Sequence, residues 1–283
     1  MPQVSLVVCL HGEGRYLERL LHNARGCYDD LVIVHDGSDE TGVREIAERQ
    51  GGRFFERPRS FQQECHWPFA WEKARFDWIL RWDADEFPSP ELREWVDCFR
   101  HAPEPDATVS GYIGILPFWN GRRALTQRWP RRVIMIHRRR VRFFGMPDQG
   151  PLADGVFERL NLVLHHQPDR KAHGLRYMLR RRKVQRWYKL IAKALQGKPT
   201  DLPCWRWDTP DWPPRWERIR RRPVFTALTR MVLSPLGNLR EMISCGEFPN
   251  PWLVVSFPLQ HVMMCLHYIQ ARRKNRASGG EAT

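Results

Sequence analysis

Three carboxylates fall within four residues at positions 83–86, whose sequence is Asp-Ala-Asp-Glu. They follow a mostly apolar run, residues 77–82, which predicts a buried strand that ends at a surface cleft. Side chains at positions i and i+2 of an extended chain point the same way, so Asp83 and Asp85 can share one hard divalent cation. Such a cation keeps water ligands and also takes phosphate oxygens from a substrate. The pattern favours handling of a diphosphate-bearing substrate, and an acidic turn or helix N-terminus before Pro88 is the competing interpretation.

Two further acidic loops follow short apolar runs near the start of the chain. Residues 4–10 predict a strand that ends before Gly12 and Glu13, and residues 31–34 predict a strand that ends in His-Asp-Gly-Ser-Asp at 35–39. A helical segment follows each run, and strands that alternate with helices predict a parallel sheet. Because ligands of open α/β sheets bind at the carboxyl ends of the strands, we expect all three loops to line one crevice.

These motifs resemble those of the family-2 glycosyltransferases, which have the GT-A nucleotide-sugar fold. Residues 4–13 look like the opening strand of that family, residues 34–39 like its second-strand acidic motif, and residues 83–86 like its metal-binding Asp-x-Asp. The last motif, with residues 61–63 and 183–188, is similar to the branch that includes lipopolysaccharide-core β-glucosyltransferases. The resemblance is specific over the first 100 residues and loose over the last 60.

The resemblance implies an inverting transfer of a sugar from a nucleotide-sugar, with a UDP-sugar as the expected donor and Mn²⁺ or Mg²⁺ as the cofactor. It implies a glycan or lipid-linked acceptor in the synthesis of cell-surface polysaccharide. By matching positions, it assigns Glu13, Asp36 and Asp83 to nucleotide binding and Asp83 and Asp85 to the metal. His35 stands where the family usually has an Asp, which leaves the base preference of the donor open.

The resemblance also suggests a catalytic base and a third metal ligand. Related enzymes place a His-Glu pair after a Phe/Trp-x-Gly element, and here Asp148 is the nearest carboxylate for the role of base, with a turn Asp as the competing interpretation. An apolar run ends in His165 and His166, and a His at this place resembles a late family motif that approaches the metal or diphosphate. Neighbours on a strand point to opposite sides, so at most one can serve. His165 is the predicted ligand, but which of the two histidines faces the site is left open by the sequence. A structural, hydrogen-bonded His is the competing interpretation.

Length and composition predict an α/β chain with an appendage. The 283 residues, 42% of them apolar, suffice for a Rossmann-like, mostly parallel sheet flanked by helices over residues 1–198. A junction rich in Pro and Trp at 199–223 and a helical extension at 224–283 are expected to follow. Seven scattered cysteines without a Cys-x-x-Cys pair indicate a reducing compartment. The first predicted strand begins at residue 4, so no signal peptide is expected.

The net charge of +14 favours an anionic partner, and a solvated basic surface is the competing interpretation. Nucleic acid, an anionic bilayer and a phosphorylated glycolipid all qualify, but no helix-turn-helix, zinc-finger or RNA-recognition pattern is visible. Residues 252–269 carry no Asp, Glu, Lys or Arg and lead to a basic cluster at 272–276. This pattern predicts an interfacial helix rather than a spanning one, and packing on protein is the competing interpretation. We therefore expect a cytoplasmic protein, peripheral at the inner face of a bacterial membrane.

Two other functional classes are compatible with parts of the sequence. A nucleotidyltransferase would use a similar sheet, but it normally has a Gly-rich first loop, and residues 11–15 are a poor version of one. A non-catalytic protein could bind membrane or nucleic acid through the basic clusters. Acidic clusters after three predicted strands argue against that class, because carboxylates repel a polyanion.

Overall fold

The structure, a computed structural model, describes residues 1–119, 121–147, 149–168, 182–197, 202–208, 211–248 and 250–279. The chain forms two compact units. The first consists of Met1–Phe143, Gly150–Arg170 and Pro203–Trp207, and the second of Phe144–Gln149, Lys171–Leu202 and Asp208–Thr283. The units are interleaved along the chain, whereas the sequence predicts the consecutive segments 1–198, 199–223 and 224–283.

The first unit is built on an eight-stranded sheet with the order β3-β2-β1-β4-β7-β6-β10-β5. A pair of short strands, β8 and β9, forms a second sheet. The strands are β1 Val4–Leu10, β2 Asp30–Asp36, β3 Arg53–Arg57, β4 Trp78–Leu80, β5 Glu86–Pro88, β6 Val109–Ile115, β7 Arg131–His137, β8 Val141–Arg142, β9 Leu152–Ala153 and β10 Val156–His166. The helices of this unit are α1 Gly14–Asn23, α2 Val43–Arg49, α3 Trp67–Lys73 and α4 Pro90–His101.

The first strands of the sheet are buried on both faces, which explains their nearly continuous apolar sequences. β1 pairs in parallel with β2 and β4, and β2 pairs in parallel with β3. Along β1, Leu6 and Val8 join an apolar cluster with α1, α2 and α4, whereas Val7 and Cys9 join a second cluster with α3. The predicted α/β fold, with a mostly parallel sheet between helices and helices at the C-terminal end, is confirmed.

The acidic residues 83–86 do not form a helix N-terminus. β5 follows them, and α4 begins only at Pro90. Ser89 is the N-cap of α4, and its side chain accepts a hydrogen bond from the backbone N–H of Leu92 at 3.2 Å. The helix therefore has its own cap, and the carboxylates before it serve another purpose.

The segment Pro203–Trp207 closes the apolar cluster beside α3. Trp205 and Phe143 exchange two backbone hydrogen bonds of 2.9 Å each, as in an antiparallel bridge. The Trp205 indole lies edge-on to Trp71 at 6.0 Å between ring centroids, and its N–H donates to the carbonyl of Arg138. Residues 203–207, which lie within the predicted junction 199–223, are thus part of the first unit.

The second unit is helical. It contains α5 Arg182–Ala194, α6 Pro214–Arg221, α7 Pro223–Ser244 and α8 Pro251–Gly279. α8 packs on α7 and α5: Asn238 donates a hydrogen bond to the carbonyl of Val254, and His267 stacks on Tyr188 at 5.5 Å. In the part of the chain that is described, Pro251–Lys274 is the one helical stretch long and apolar enough to cross a membrane, with a mean hydropathy of 1.3. Only 31% of its most apolar window is buried within the protein.

Candidate active site

The carboxyl ends of β1, β2 and β4 lie side by side, because these strands are neighbours and run parallel. Asp36 is the last residue of β2, and the segments that follow β1 and β4 carry Glu13 and residues 83–86. Glu13 is the N-cap residue of α1 and is half-buried. The register thus brings the three predicted loops to one edge of the sheet.

Within the acidic loop, Glu86 and Asp83 are held by one arginine. Glu86 is fully buried, and its carboxylate accepts a hydrogen bond from the backbone N–H of Asp83 at 2.9 Å. Arg132 on β7 binds the carboxylates of both residues, that of Asp83 at 2.9 Å. Burial would raise the pKa of Asp83, but the charges of Arg132 and Arg81 outweigh burial and hold that pKa below its usual value. Asp83 is therefore an ionised carboxylate that is already paired with a cation.

Asp85 makes a different contact. Its Oδ2 lies 3.3 Å from Nε2 of His166, the last residue of β10, and each side chain is about a fifth exposed. The backbone N–H of Gln167 donates to the carbonyl of Asp85 at 2.9 Å, which ties the loop to the end of β10. Asp85 and His166 are thus paired, and solvent or a ligand can reach both.

His165 lies on the opposite side of β10, because successive residues of a strand alternate. Its partner in the register is Phe87, whereas His166 is opposite Glu86. Burial lowers the pKa of His165, and the charged groups that act on its ring are Glu91 and Arg19. The role of His165 as a metal ligand stays a prediction, and the geometry favours His166 for that role.

Asp36 anchors the segment 59–66 to the end of β2. Its buried carboxylate accepts hydrogen bonds from Arg59 at 2.6 Å, from the Ser60 hydroxyl at 3.0 Å and from Nε2 of His66 at 2.8 Å. Burial would raise the pKa of Asp36, but the hydrogen bonds from Ser60 and His66 outweigh it and lower that pKa. Asp36 is therefore charged at neutral pH and fixes the chain beside the three strand ends.

His35 links the loops that follow β1 and β2. It stands at a position where the resemblance predicts an Asp. The N–H of Gly12 donates to its Nε2 at 3.1 Å, and its Nδ1–H donates to the carbonyl of Gly37 at 2.8 Å. Because Nε2 accepts a hydrogen bond, the ring is neutral. At 1% exposure, His35 is a structural link between the loops of β1 and β2.

Phe61 is an exposed aromatic residue with a strained backbone. Its φ of 62° lies in the left-handed region, which bulky side chains rarely adopt, and 47% of the residue is exposed. Arg59, whose guanidinium binds Asp36, also lies against Phe61. Its guanidinium carbon is 4.5 Å from the centroid of the Phe61 ring. Strain of this kind is concentrated at ligand sites, so Phe61 joins the candidate site.

The predicted base, Asp148, lies outside the described residues. The described carboxylate nearest in sequence is Asp154, and it is held by Arg142 at 2.7 Å and by Arg206 at 3.1 Å. The assignment of the base to Asp148 stays a prediction.

The sequence profile described as Glycosyl transferase family 2 matches residues 5–157, more than half of the chain. The chain belongs to glycosyl transferase family 2. The matched region extends from β1 to the start of β10, and so it contains Asp36, Asp83 and Asp85. The predictions of a glycosyltransferase and of the GT-A fold are confirmed at the level of the family. The lipopolysaccharide-core branch stays a prediction.

Solved structures of glycosyltransferases are similar to this chain at low identity. The mannosyltransferase PcManGT from Pyrobaculum calidifontis, in complex with GDP-Man and Mn²⁺, is 15% identical, with a TM-score of 0.44 over 97% of this chain and 87% of that one. Residues 1–349 of S. aureus TarS, in complex with UDP-GlcNAc, are 14% identical, with a TM-score of 0.39 over 69% and 67%. Against a longer TarS chain the match spans only 22% of that protein. No curated protein sequence matches the chain.

In this family-2 glycosyltransferase, Oδ2 of Asp85 and Nε2 of His166 are placed so that both could bind one divalent cation. Two ligand bonds of about 2.1 Å at a right angle span about 3 Å, close to the 3.3 Å between these two side chains. Asp83 fits less directly, since Arg132 binds its carboxylate. Among the described residues, no three His, Cys, Asp or Glu side chains converge on one point, so substrate oxygens and water would complete the coordination.

Arg132 is a residue of the candidate site that the sequence analysis did not single out. The available signal was a pair of arginines, at 131 and 132, directly before the apolar run 133–136. In β7 the two side chains take opposite sides: Arg131 binds the carbonyl of Leu160, whereas Arg132 binds the acidic loop. In sequence, both look like parts of a general basic surface.

Proposed function

We propose that this enzyme transfers a sugar from a nucleotide-sugar, with a UDP-sugar as the expected donor, to a glycan or lipid-linked acceptor with inversion of configuration. The observation that carries the proposal is the acidic loop at the carboxyl end of β4, where Asp85 meets His166 beside the ion pair of Asp83 with Arg132. Asp85 and His166 offer two reachable metal-ligating atoms beside the guanidinium of Arg132. This arrangement suits the diphosphate of a nucleotide-sugar.

Each group in the site has a proposed role. Asp85 and His166 would hold Mn²⁺ or Mg²⁺, with Asp83 at the ribose or the metal, while Glu13 and Asp36 would contact the nucleotide. When bound, the cation neutralises charge on the diphosphate. Arg132 keeps Asp83 ionised and in place at the same edge of the sheet.

The transfer itself needs a nucleophile and a base. The acceptor hydroxyl oxygen forms a bond to the anomeric carbon while the bond from that carbon to the diphosphate oxygen breaks. The nucleoside diphosphate leaves with the electron pair, and a carboxylate, proposed to be Asp148, takes the hydroxyl proton. Attack from the face opposite the leaving group inverts the anomeric configuration.

A panel of nucleotide-sugars tests the proposed function. The protein is incubated with each donor and Mn²⁺, and release of nucleoside diphosphate is measured, with thermal unfolding in UDP and Mn²⁺ as the binding readout. We expect one donor to be hydrolysed in a metal-dependent way and UDP with Mn²⁺ to raise Tm. Release of pyrophosphate from a nucleoside triphosphate and a sugar phosphate, with no donor hydrolysis, would instead indicate a nucleotidyltransferase.

Asp36→Ala is expected to weaken UDP binding about tenfold or more, both with and without Mn²⁺. The carboxylate holds Arg59 and Ser60 at the strand ends, and loss of hydrogen bonds to a charged group costs about 1.5–3 kcal/mol. Isothermal titration with UDP, with Mn²⁺ or with EDTA, provides the measurement. If only the metal-dependent part of binding changed, Asp36 would belong to the metal site.

Asp148→Asn is expected to bind donor like the parent enzyme and to lose transfer by about a hundredfold or more, because the amide cannot accept the acceptor proton. The measurement is UDP affinity together with the transfer rate. Asp154→Asn serves as the control, since Asp154 is held in two ion pairs. A transfer rate for Asp148→Asn near that of the parent would remove Asp148 from the role.

For location, we propose a peripheral enzyme at the inner face of a bacterial cytoplasmic membrane, acting in lipopolysaccharide or related cell-surface polysaccharide synthesis. The net charge of +14 supports attraction to anionic headgroups, and the apolar residues of the C-terminal helices support burial in the interface. A lipid-linked acceptor would be found at the same surface.

A further inference from the structure

An apolar stripe runs along the outer face of α7 in the second unit. Its members are each more than half exposed, and they recur with the spacing of one helical face. They are Val224, Phe225, Leu228, Met231, Val232 and Leu236. We refer to these six residues as the α7 stripe.

Other residues of α7 pack on protein. Ala227 and Met242 are buried, and Asn238 donates a hydrogen bond to the backbone of α8. The residues of the stripe are instead 56–62% exposed. Contiguous exposed apolar side chains on a soluble surface mark a contact site for membrane or protein.

The sequence around the stripe is strongly basic. Between Glu217 and Glu241 the chain has six arginines and no carboxylate. They are Arg218, Arg220, Arg221, Arg222, Arg230 and Arg240. An apolar stripe flanked by arginines complements an anionic bilayer, which has negatively charged headgroups and an apolar interior.

A basic cleft lies where α6, next to the stripe in sequence, meets α8. Its volume is about 420 Å³, and Arg220, Arg221 and Arg272 line it together with Tyr268. Glu217 is the one carboxylate among its described lining residues, and it pairs with Arg220 and Arg221. Three guanidinium groups against one carboxylate leave positive charge for a phosphate headgroup.

We propose that the α7 stripe is the membrane-binding surface of this enzyme and that it lies in the interface of an anionic bilayer, with the basic cleft against lipid phosphates. α7 has 22 residues and combines the exposed apolar stripe with Arg230 and Arg240, so as an amphipathic helix it would lie in the plane of the membrane. In α8, by contrast, Leu253, Cys265 and Tyr268 are buried within the second unit, and the exposed large apolar residues among those described are Val255 and Leu266, each 44% exposed. The membrane contact is therefore assigned to α7 and not to the more continuously apolar α8.

This inference rests on the proposed function in one respect: a lipid-linked acceptor is the reason for the enzyme to bind a membrane. Vesicle binding is measured without donor or acceptor, and donor hydrolysis is measured without vesicles. Failure of one measurement therefore leaves the other intact.

The test compares two sets of substitutions in the full chain. Phe225→Gln, Leu228→Gln and Val232→Gln together remove the centre of the stripe. Because these side chains are exposed, we expect the far-ultraviolet spectrum and donor hydrolysis to stay unchanged. Co-sedimentation with vesicles of phosphatidylcholine and phosphatidylglycerol is expected to fall by about a hundredfold in partition coefficient. Binding of the parent chain should weaken with salt and be much lower on phosphatidylcholine alone.

The matched control is the pair Val255→Gln and Leu266→Gln, which alters the exposed apolar residues of α8. This control is expected to bind vesicles like the parent. Loss of binding in the α8 pair with retention in the α7 triple would overturn the proposal, as would equal binding to neutral and anionic vesicles. Sedimentation velocity without lipid is the final arm: a dimer that the α7 triple dissociates would overturn the proposal by identifying the stripe as a contact between copies of the chain.

Discussion

The Asp85→Ala variant is expected to fold like the parent chain and to lose Mn²⁺-dependent binding of UDP. Asp85 is about a fifth exposed and is paired with His166, so its removal leaves no buried charge without a partner. One of the two reachable cation ligands is then gone, and we expect the affinity gained on adding Mn²⁺ to fall by about a hundredfold. Isothermal titration with UDP in Mn²⁺ or EDTA measures that gain directly.

Two comparisons sharpen this test. Asp97→Ala removes a carboxylate from the surface of α4 and should leave the Mn²⁺-dependent gain unchanged. His166→Ala should reduce the gain, whereas His165→Ala should not, because His166 is the histidine beside Asp85. Undiminished Mn²⁺-dependent binding in Asp85→Ala would remove the metal from this loop, and the reverse order of the two histidine variants would restore His165 as the ligand.

The Arg132→Met variant is expected to lose about 3–5 kcal/mol of unfolding free energy, as is typical when one partner of a buried ion pair is removed. Arg132 binds two carboxylates, and one of them, Glu86, is fully buried. Without the guanidinium, a buried negative charge has no counterion. Urea denaturation followed by circular dichroism gives the change in free energy.

The neighbouring arginine provides the control. Arg131→Met loses a hydrogen bond to the carbonyl of Leu160 and one to Asn161, and is expected to cost about 1–2 kcal/mol. Adding Glu86→Gln to Arg132→Met should recover part of the loss, because the buried charge is then removed. Equal costs for the two arginine variants, with no recovery in the double variant, would show that Arg132 acts only through packing.

The first strands and their parallel arrangement were accessible from sequence, because they depend on local patterns. Residues 4–10 and 31–34 are continuous apolar runs bounded by polar loops, and β1 and β2 lie over them. Alternation with helices predicts parallel neighbours, and parallel neighbours end at the same edge. The placement of Asp36 and Asp83 at one edge of the sheet follows from these rules alone.

Residues that reach the site through non-local pairing were not accessible. Arg132 comes to Glu86 because β7 pairs with β4 in a register that sets Met135 opposite Leu80. Nothing within either segment specifies that register. The choice between His165 and His166 is a similar case. Strand alternation predicts that one of the two histidines faces the acidic loop, but only the pairing of β10 with β5 shows which one does.

The α7 stripe was missed for a different reason. The longest uncharged run, residues 252–269, gives the stronger membrane signal in sequence, whereas the apolar residues of α7 are interrupted by Arg230 and Arg240. Spacing alone describes an amphipathic face but does not say whether protein covers it. That depends on which side of α7 packs on α8, which is a property of the tertiary structure.

The return of Trp205 to Phe143 has a consequence for how the chain folds during synthesis. The sheet through β7 and the aromatic cluster of Trp71 and Phe143 are complete in sequence about 60 residues before Trp205 emerges. At about 5–20 residues per second, the ribosome needs about 3–12 s for that interval. During this time one edge of the cluster waits uncovered on the nascent chain. Until residues 203–207 are synthesised, the cluster therefore lacks the cover of Trp205, and chaperones protect nascent chains with exposed apolar surface of this kind.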